Sequence, residues 1–221
     1  MTETLPVAVL GFLLGLRHAT DADHVVAVTT IVARERGFGR AARIGALWGL
    51  GHSVTVIAIG GALIAFRVVV PPRVGLGLEF GVALMLIVLG FANLRPANGE
   101  NDDAGRHTLD GPASWRPLVV GVVHGLAGSA AVALVVLAII PQPLWAMAYL
   151  LVFCVGTIAG MIVVTWMVAA PAIFAARHVP RLQRGIRLAA GALSLVFGLV
   201  LAREIVVDGG LFSAAPSWTP R

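Results

Sequence analysis

Arg17-His18-Ala19-Thr20-Asp21-Ala22-Asp23-His24 packs five ionisable side chains into eight residues, between the apolar runs Leu5–Leu16 and Val25–Ala33. A charge at the centre of a bilayer costs at least about 2.5 kcal/mol on insertion scales, so a cluster at that depth points to function. Two imidazoles beside two carboxylates suit a divalent transition metal or a proton. The set contains no thiolate, which favours nickel, cobalt, zinc, iron or manganese over copper(I). Magnesium and calcium are disfavoured because they want all-oxygen shells. On a straight helix turning about 100° per residue, His18, Asp21 and His24 sweep one arc, with Asp21 about 60° from each histidine and Asp23 pointing away. That geometry gives one ion His18, Asp21 and His24, and leaves Asp23 in a supporting contact. If the helix instead unwinds near Ala19–Ala22, Asp23 turns inward and backbone carbonyls become ligands. Both geometries are compatible with the sequence.

The elements that must position this cluster are apolar helices. The chain has 221 residues, 58% hydrophobic and 12% charged, whereas a soluble domain carries about 25% charged residues. Leu5–Ala33, Ile44–Phe66, Val74–Leu94, Leu118–Ile140, Leu144–Ala170 and Ile186–Val207 each meet the roughly 20 residues that cross a bilayer. The fold expected is an all-α membrane protein of six transmembrane helices in a single domain. The first span lacks a basic leader and runs into a polar cluster, so it reads as a helix rather than a cleaved signal peptide.

All sixteen basic residues are arginine, and they report topology rather than a nucleic-acid surface. Six spans place Arg34, Arg36, Arg40, Arg43, Arg95, Arg106, Arg116, Arg177, Arg181, Arg184 and Arg187 on one side, against Arg67, Arg73, Arg203 and Arg221 on the other. The positive-inside rule then predicts a multi-pass protein of the cytoplasmic membrane with both termini outside. Arg17 abuts the cluster and reads as a counter-ion to Asp21 or Asp23. Cys154 is the sole cysteine, which excludes an intrachain disulfide and a cysteine zinc site.

The halves look related. Gly15-Leu16-Arg17-His18-Ala19 aligns with Gly121-Val122-Val123-His124-Gly125, and Trp48-Gly49-Leu50-Gly51-His52-Ser53 with Phe153-Cys154-Val155-Gly156-Thr157-Ile158. Their spans run in opposite directions, which predicts two inverted three-helix repeats. The first is residues 1–95 and the second residues 118–221, joined by a solvated cytoplasmic linker at 96–117. Substrate sites in such architectures lie near the midplane at the repeat interface. The alignment therefore adds His52 and His124 to His18, Asp21, Asp23 and His24 as candidate metal ligands. His107 and His178 fall in loops and are left out.

With these residues in view, the chain resembles the nickel/cobalt transporter family. His18-Ala19-Thr20-Asp21-Ala22-Asp23-His24 is similar to that family's His-x4-Asp-His signature through His18, Asp23 and His24, and Gly51-His52-Ser53 to the motif of its next helix. The resemblance implies high-affinity uptake of Ni²⁺ or Co²⁺, with these histidines and aspartates selecting the metal. It also implies a signature helix running from outside to inside, as the arginines do. Those transporters typically have eight spans and a later acidic motif. Here the corresponding stretch is His124–Ala131, without a carboxylate, and the shorter pattern is more similar to compact urease-accessory relatives.

The function expected is a permease for a divalent transition metal, Ni²⁺ first and Co²⁺ second, as transported substrate and with no prosthetic group. The chain has neither lysine nor a phosphate-binding loop, so its energy comes from a gradient or another subunit. The competing readings are an intramembrane metalloenzyme that activates water at the same cluster, and an exporter of metal or of a small anion. Arg17 favours the anion, and the histidine–aspartate pairing opposes it.

Overall fold

The computed structural model describes residues 4–66, 70–95, 115–140 and 142–218, and all of its regular structure is helical. The elements are α1 (Thr4–His18), α2 (Ala22–Val32), α3 (Phe38–Thr55), α4 (Gly61–Phe66), α5 (Pro72–Leu94), α6 (Arg116–Ile139), α7 (Pro143–His178) and α8 (Pro180–Arg203). Val56–Gly60 forms a π-helical segment that joins α3 to α4 in one rod, and a second π segment, Glu204–Asp208, extends α8. Phe38–Phe66, Pro72–Leu94, Pro143–His178 and Arg181–Asp208 are long and apolar enough to cross a membrane. The shorter apolar helices include Ala8–His18 and Ala22–Val32. Most of the predicted linker at 96–117 lies outside the described residues, as do Arg67, Arg106, His107 and Arg221.

The first predicted span, Leu5–Ala33, is therefore two helices rather than one. Its break follows from the order of charges. Arg17 and His18 occupy the last turn of α1, where a helix dipole favours cations, and Asp23 occupies the first turn of α2, where it favours anions. Thr20 N–H and Asp21 N–H bond back to the carbonyls of Arg17 and His18, which tightens and closes α1. The Thr20 hydroxyl also donates to the Arg17 carbonyl. Asp21 then takes an extended conformation (φ −59°, ψ 146°), and its carbonyl accepts the N–H of Val25 to start α2.

Glycine sets the helix pairing. A Cβ at Gly15 of α1 would overlap the Phe153 carbonyl oxygen of α7 and crowd the Thr157 amide. A Cβ at Gly121 of α6 would likewise overlap the Trp48 carbonyl oxygen of α3 and crowd the His52 amide. Gly156 meets the Phe12 carbonyl, and Gly51 meets that of Leu118. In the α5–α8 pair, Gly90 lies against Gly191 and Leu195, and Gly198 against Ala83 and Ile87. Small residues let helix backbones approach this closely where apolar burial supplies no attraction in lipid. The resulting core packs Val26, Val28 and Val32 of α2 against Ile44 and Trp48 of α3 and Met161, Ala169 and Ile173 of α7.

Candidate metal centre

Four histidines meet where α1, α2, α3 and α6 converge. His18 comes from the end of α1, His24 from the first turn of α2, His52 from α3 and His124 from α6. The His24 and His124 ring centroids are 4.2 Å apart, those of His18 and His24 4.7 Å, and those of His18 and His52 5.1 Å. His24, His52 and His124 are buried, and His18 is partly so. Two groups bring one ligand atom per residue within 4.8 Å of each other: His18, His24 and His52, and Asp23, His24 and His124. His24 belongs to both.

The two aspartates stand behind the imidazoles and fix their protons. Asp21 Oδ2 lies 2.8 Å from His18 Nδ1. Asp23 reaches two rings, with Oδ1 3.1 Å from His24 Nδ1 and Oδ2 2.8 Å from His124 Nε2. A carboxylate accepts only, so each of these ring nitrogens donates its N–H. The opposite nitrogens, His18 Nε2, His24 Nε2 and His124 Nδ1, are left as bare lone pairs. His24 Nε2 and His124 Nδ1 are fully buried without a hydrogen-bond partner among the described residues, as is His52 Nδ1. Buried polar atoms are rarely left unpaired, and a cation is the partner that bare lone pairs share.

His18 Nε2 and His52 Nε2 face each other at 3.2 Å. Two nitrogens bound at 2.0–2.1 Å in tetrahedral directions stand about 3.3 Å apart, so this separation already matches neighbouring ligands of one ion. Carboxylates that anchor the far side of ligating histidines set ring orientation and raise ligand basicity. Asp21 and Asp23 occupy those positions.

All six candidate residues from the sequence gather in this region, in different roles. Asp23, which a straight helix turns away, is carried inward by the break at Ala19–Asp21. Asp21 is largely exposed and meets the cluster only through His18. Arg17 is exposed, and among the described residues no ion pair joins it to either aspartate, so it is not their counter-ion here. His178 is exposed, far along α7, and donates from Nδ1 to the Phe174 carbonyl. Thr157 is buried, with its hydroxyl turned back to the Phe153 carbonyl.

Two residues were missed as parts of the site. Trp48 stacks on His24 with centroids 5.9 Å apart and planes 14° from parallel. The signal was its place one helical turn before His52. Gly128 presents its bare Cα to the pocket, where a Cβ would stand 3.6 Å from His52 Cε1 and 3.8 Å from His18 Nε2.

Fold and site together define a polytopic helical membrane protein with a buried imidazole–carboxylate centre. A family model described as "High-affinity nickel-transport protein" (NicO) matches residues 4–94. The urease accessory protein UreH of Bacillus sp. (strain TB-90) is 30% identical over 220 residues, covering 95% of this chain and 96% of the relative. The chain belongs to the nickel/cobalt transporter family, beside UreH. The chloroplast protein FOR GROWTH AND FERTILITY 2 of Arabidopsis thaliana is 25% identical over 216 residues, covering 90% of this chain and 57% of the relative. The hydrogenase nickel incorporation protein HupN of Bradyrhizobium diazoefficiens is 36% identical over 98 residues, covering 41% of this chain and 26% of the relative. No solved structure matches the chain.

Proposed function

We propose that this protein is a membrane permease for a divalent transition-metal ion, Ni²⁺ ahead of Co²⁺, which crosses the cytoplasmic membrane through the four-histidine centre. The single observation that carries the reading is the convergence of four imidazoles in which buried nitrogens of His24, His52 and His124 have no hydrogen-bond partner among the described residues. The partly buried His18 stands beside them, and Asp21 and Asp23 orient His18, His24 and His124. Membership in a family of transporters makes the ion a cargo rather than the cofactor of an enzyme. Three nitrogens around one ion leave its remaining positions open, which suits a site that must also release what it binds. Neutral imidazole is the binding form, so capture and release are linked to protons.

In this reading the α1–α2 pair forms one broken span and the 24-residue α6 another, giving six with the four long rods. Residues 1–95 and 118–221 are two inverted three-helix repeats joined by a cytoplasmic linker at 96–117, and both termini lie outside. The reciprocal glycine contacts support this. Exchanging Gly15 for Gly121, Phe153 for Trp48 and Thr157 for His52 turns the α1–α7 contact into the α3–α6 contact. The α5–α8 contact maps onto itself in the same way. A broken helix that presents ligands at the repeat interface is the arrangement expected of a secondary transporter.

The test is accumulation of radioactive nickel by cells that express the protein. His24→Ala abolishes accumulation, and His178→Ala leaves it at the wild-type level. Undiminished uptake by His24→Ala overturns the assignment.

A further inference from the structure

One buried polar atom beside the centre belongs to neither an imidazole nor a carboxylate. Trp48 is 1% exposed, and its Nε1 has no hydrogen-bond partner among the described residues. The other unpartnered buried nitrogens belong to the imidazoles of His24, His52 and His124. An indole N–H only donates. Leaving such a donor buried and unpaired carries its full desolvation penalty, so its place beside the centre calls for an acceptor.

The ring's position says where that acceptor sits. Trp48 lies nearly parallel to His24 at 5.9 Å and edge-on to His124 at 5.8 Å. Its Cδ1, bonded directly to Nε1, lies against Gly121, one turn before His124 on α6. His124, the ring that stands edge-on to the indole, has its own bare and unpartnered nitrogen, Nδ1. A cation cannot satisfy both groups, because it attracts the lone pair and repels the positive end of the N–H dipole. An oxygen atom bound to the cation satisfies both, since it accepts from Nε1 while the metal it rides on takes imidazole nitrogen. Phe153, the counterpart of Trp48 in the other half, has its ring 5.4 Å from His18 and no polar edge. The donor therefore exists on one side of the centre only.

We infer that Trp48 is a specificity residue that hydrogen-bonds, through Nε1–H, an oxygen ligand retained on the transported metal. This rests on the metal reading of the centre. It makes the bound species a partly dehydrated ion, held by imidazole on one side and by an indole-anchored oxygen on the other. Such a site prefers metals that keep five or six ligands over those content with four.

Ultraviolet resonance Raman spectroscopy contains a tryptophan band that reports hydrogen bonding at the indole N–H, and among the described tryptophans only Trp48 stacks on the site's rings. Purified wild-type protein is titrated with Ni²⁺ as the aqua ion in a non-coordinating buffer, then with added bicarbonate. Calorimetry on the same samples measures binding. The inference expects the band to move to its hydrogen-bonded position in step with Ni²⁺ occupancy. A shift in plain buffer makes the oxygen a water, and a shift only with bicarbonate makes it a carried anion. Trp48→Phe keeps the ring stack, removes the band change and weakens Ni²⁺ binding about tenfold, as loss of partners around metal ligands does. Trp48→Tyr serves if that variant does not fold, and it too lacks the band change. Saturating Ni²⁺ binding with an unmoved Trp48 band overturns the inference and leaves the metal centre standing. A band already hydrogen-bonded before Ni²⁺ overturns it in favour of a resident water. Absence of any Ni²⁺ binding takes down the metal reading with it.

Discussion

Residue by residue, the proposed centre divides into rings that would bind the ion and carboxylates that aim them. Asp23 holds His24 and His124 together, whereas Asp21 holds only His18 and is about half exposed. Asp23→Asn therefore weakens Ni²⁺ binding by calorimetry about 100-fold, and Asp21→Asn by about tenfold, the range spanned by such supporting groups. Equal losses would contradict the division of labour. The identity of these residues was legible in the sequence, because imidazoles and carboxylates are costly at membrane depth and persist there for function. Their roles were not. A straight helix makes Asp21 a ligand and turns Asp23 away, whereas the three-residue break at Ala19–Asp21 carries Asp23 in to two of the rings and leaves Asp21 on His18 alone. The break itself left a trace, since Arg17-His18 followed by Asp21-Ala22-Asp23 is the charge order of one helix ending and another beginning.

At the scale of elements, the close approaches of α1 to α7 and of α6 to α3 depend on glycine. Gly15→Ala and Gly121→Ala each force backbone against backbone, and each is expected to destabilise the folded protein by about 1–3 kcal/mol. Thermal unfolding in detergent reads the loss. Gly128→Ala differs in kind, because its Cβ would meet only ring edges at 3.6 Å and beyond. That variant keeps its unfolding temperature while its methyl narrows the space between His18 and His52 and lowers Ni²⁺ affinity. A Gly128→Ala protein that binds as tightly as wild type would show that the ion does not sit there. Beyond α2, Glu35 is buried where the chain turns toward α3, and burial holds its carboxyl above the ordinary range despite the attraction of Arg40. A folded-state pKa above the unfolded one means the folded protein holds the proton longer, so stability falls as pH rises between the two values. Glu35→Gln removes that loss, and its unfolding temperature should gain on wild type as pH is raised from about 4 to 7. The helix pairing was partly legible: the glycines were visible, but which carbonyl each one meets depends on tertiary approach.

For the whole molecule, the glycine contacts α1–α7, α3–α6 and α5–α8 interleave the two halves of the chain, so neither half encloses the centre alone. His18, His24 and His52 come from the first half and His124 from the second. The end of the chain closes back on the first half, where Trp218 packs on Gly75 and donates from Nε1 to Glu79 at 2.8 Å. Arg73 also reaches the Ser213 carbonyl. The all-helical character was plain from composition, and the alignment of Gly15 with Gly121 and of Gly51 with Gly156 foreshadowed the exchange of contacts. The C-terminal strap was not foreshadowed, because a lone tryptophan in a polar tail gives no sign of the glycine it will cover. With the proposed six spans and outside termini, impermeant thiol reagents applied to intact cells label a cysteine introduced at Ser217 and leave one introduced at Arg184 unmodified. Whether the four-histidine centre carries Ni²⁺ through the membrane is decided by radioactive Ni²⁺ uptake into proteoliposomes holding purified wild-type or His24→Ala protein. Uptake is expected to saturate with Ni²⁺ in the wild type and to fall to the level of empty liposomes in the variant. Equal uptake by the two proteins would contradict the proposal.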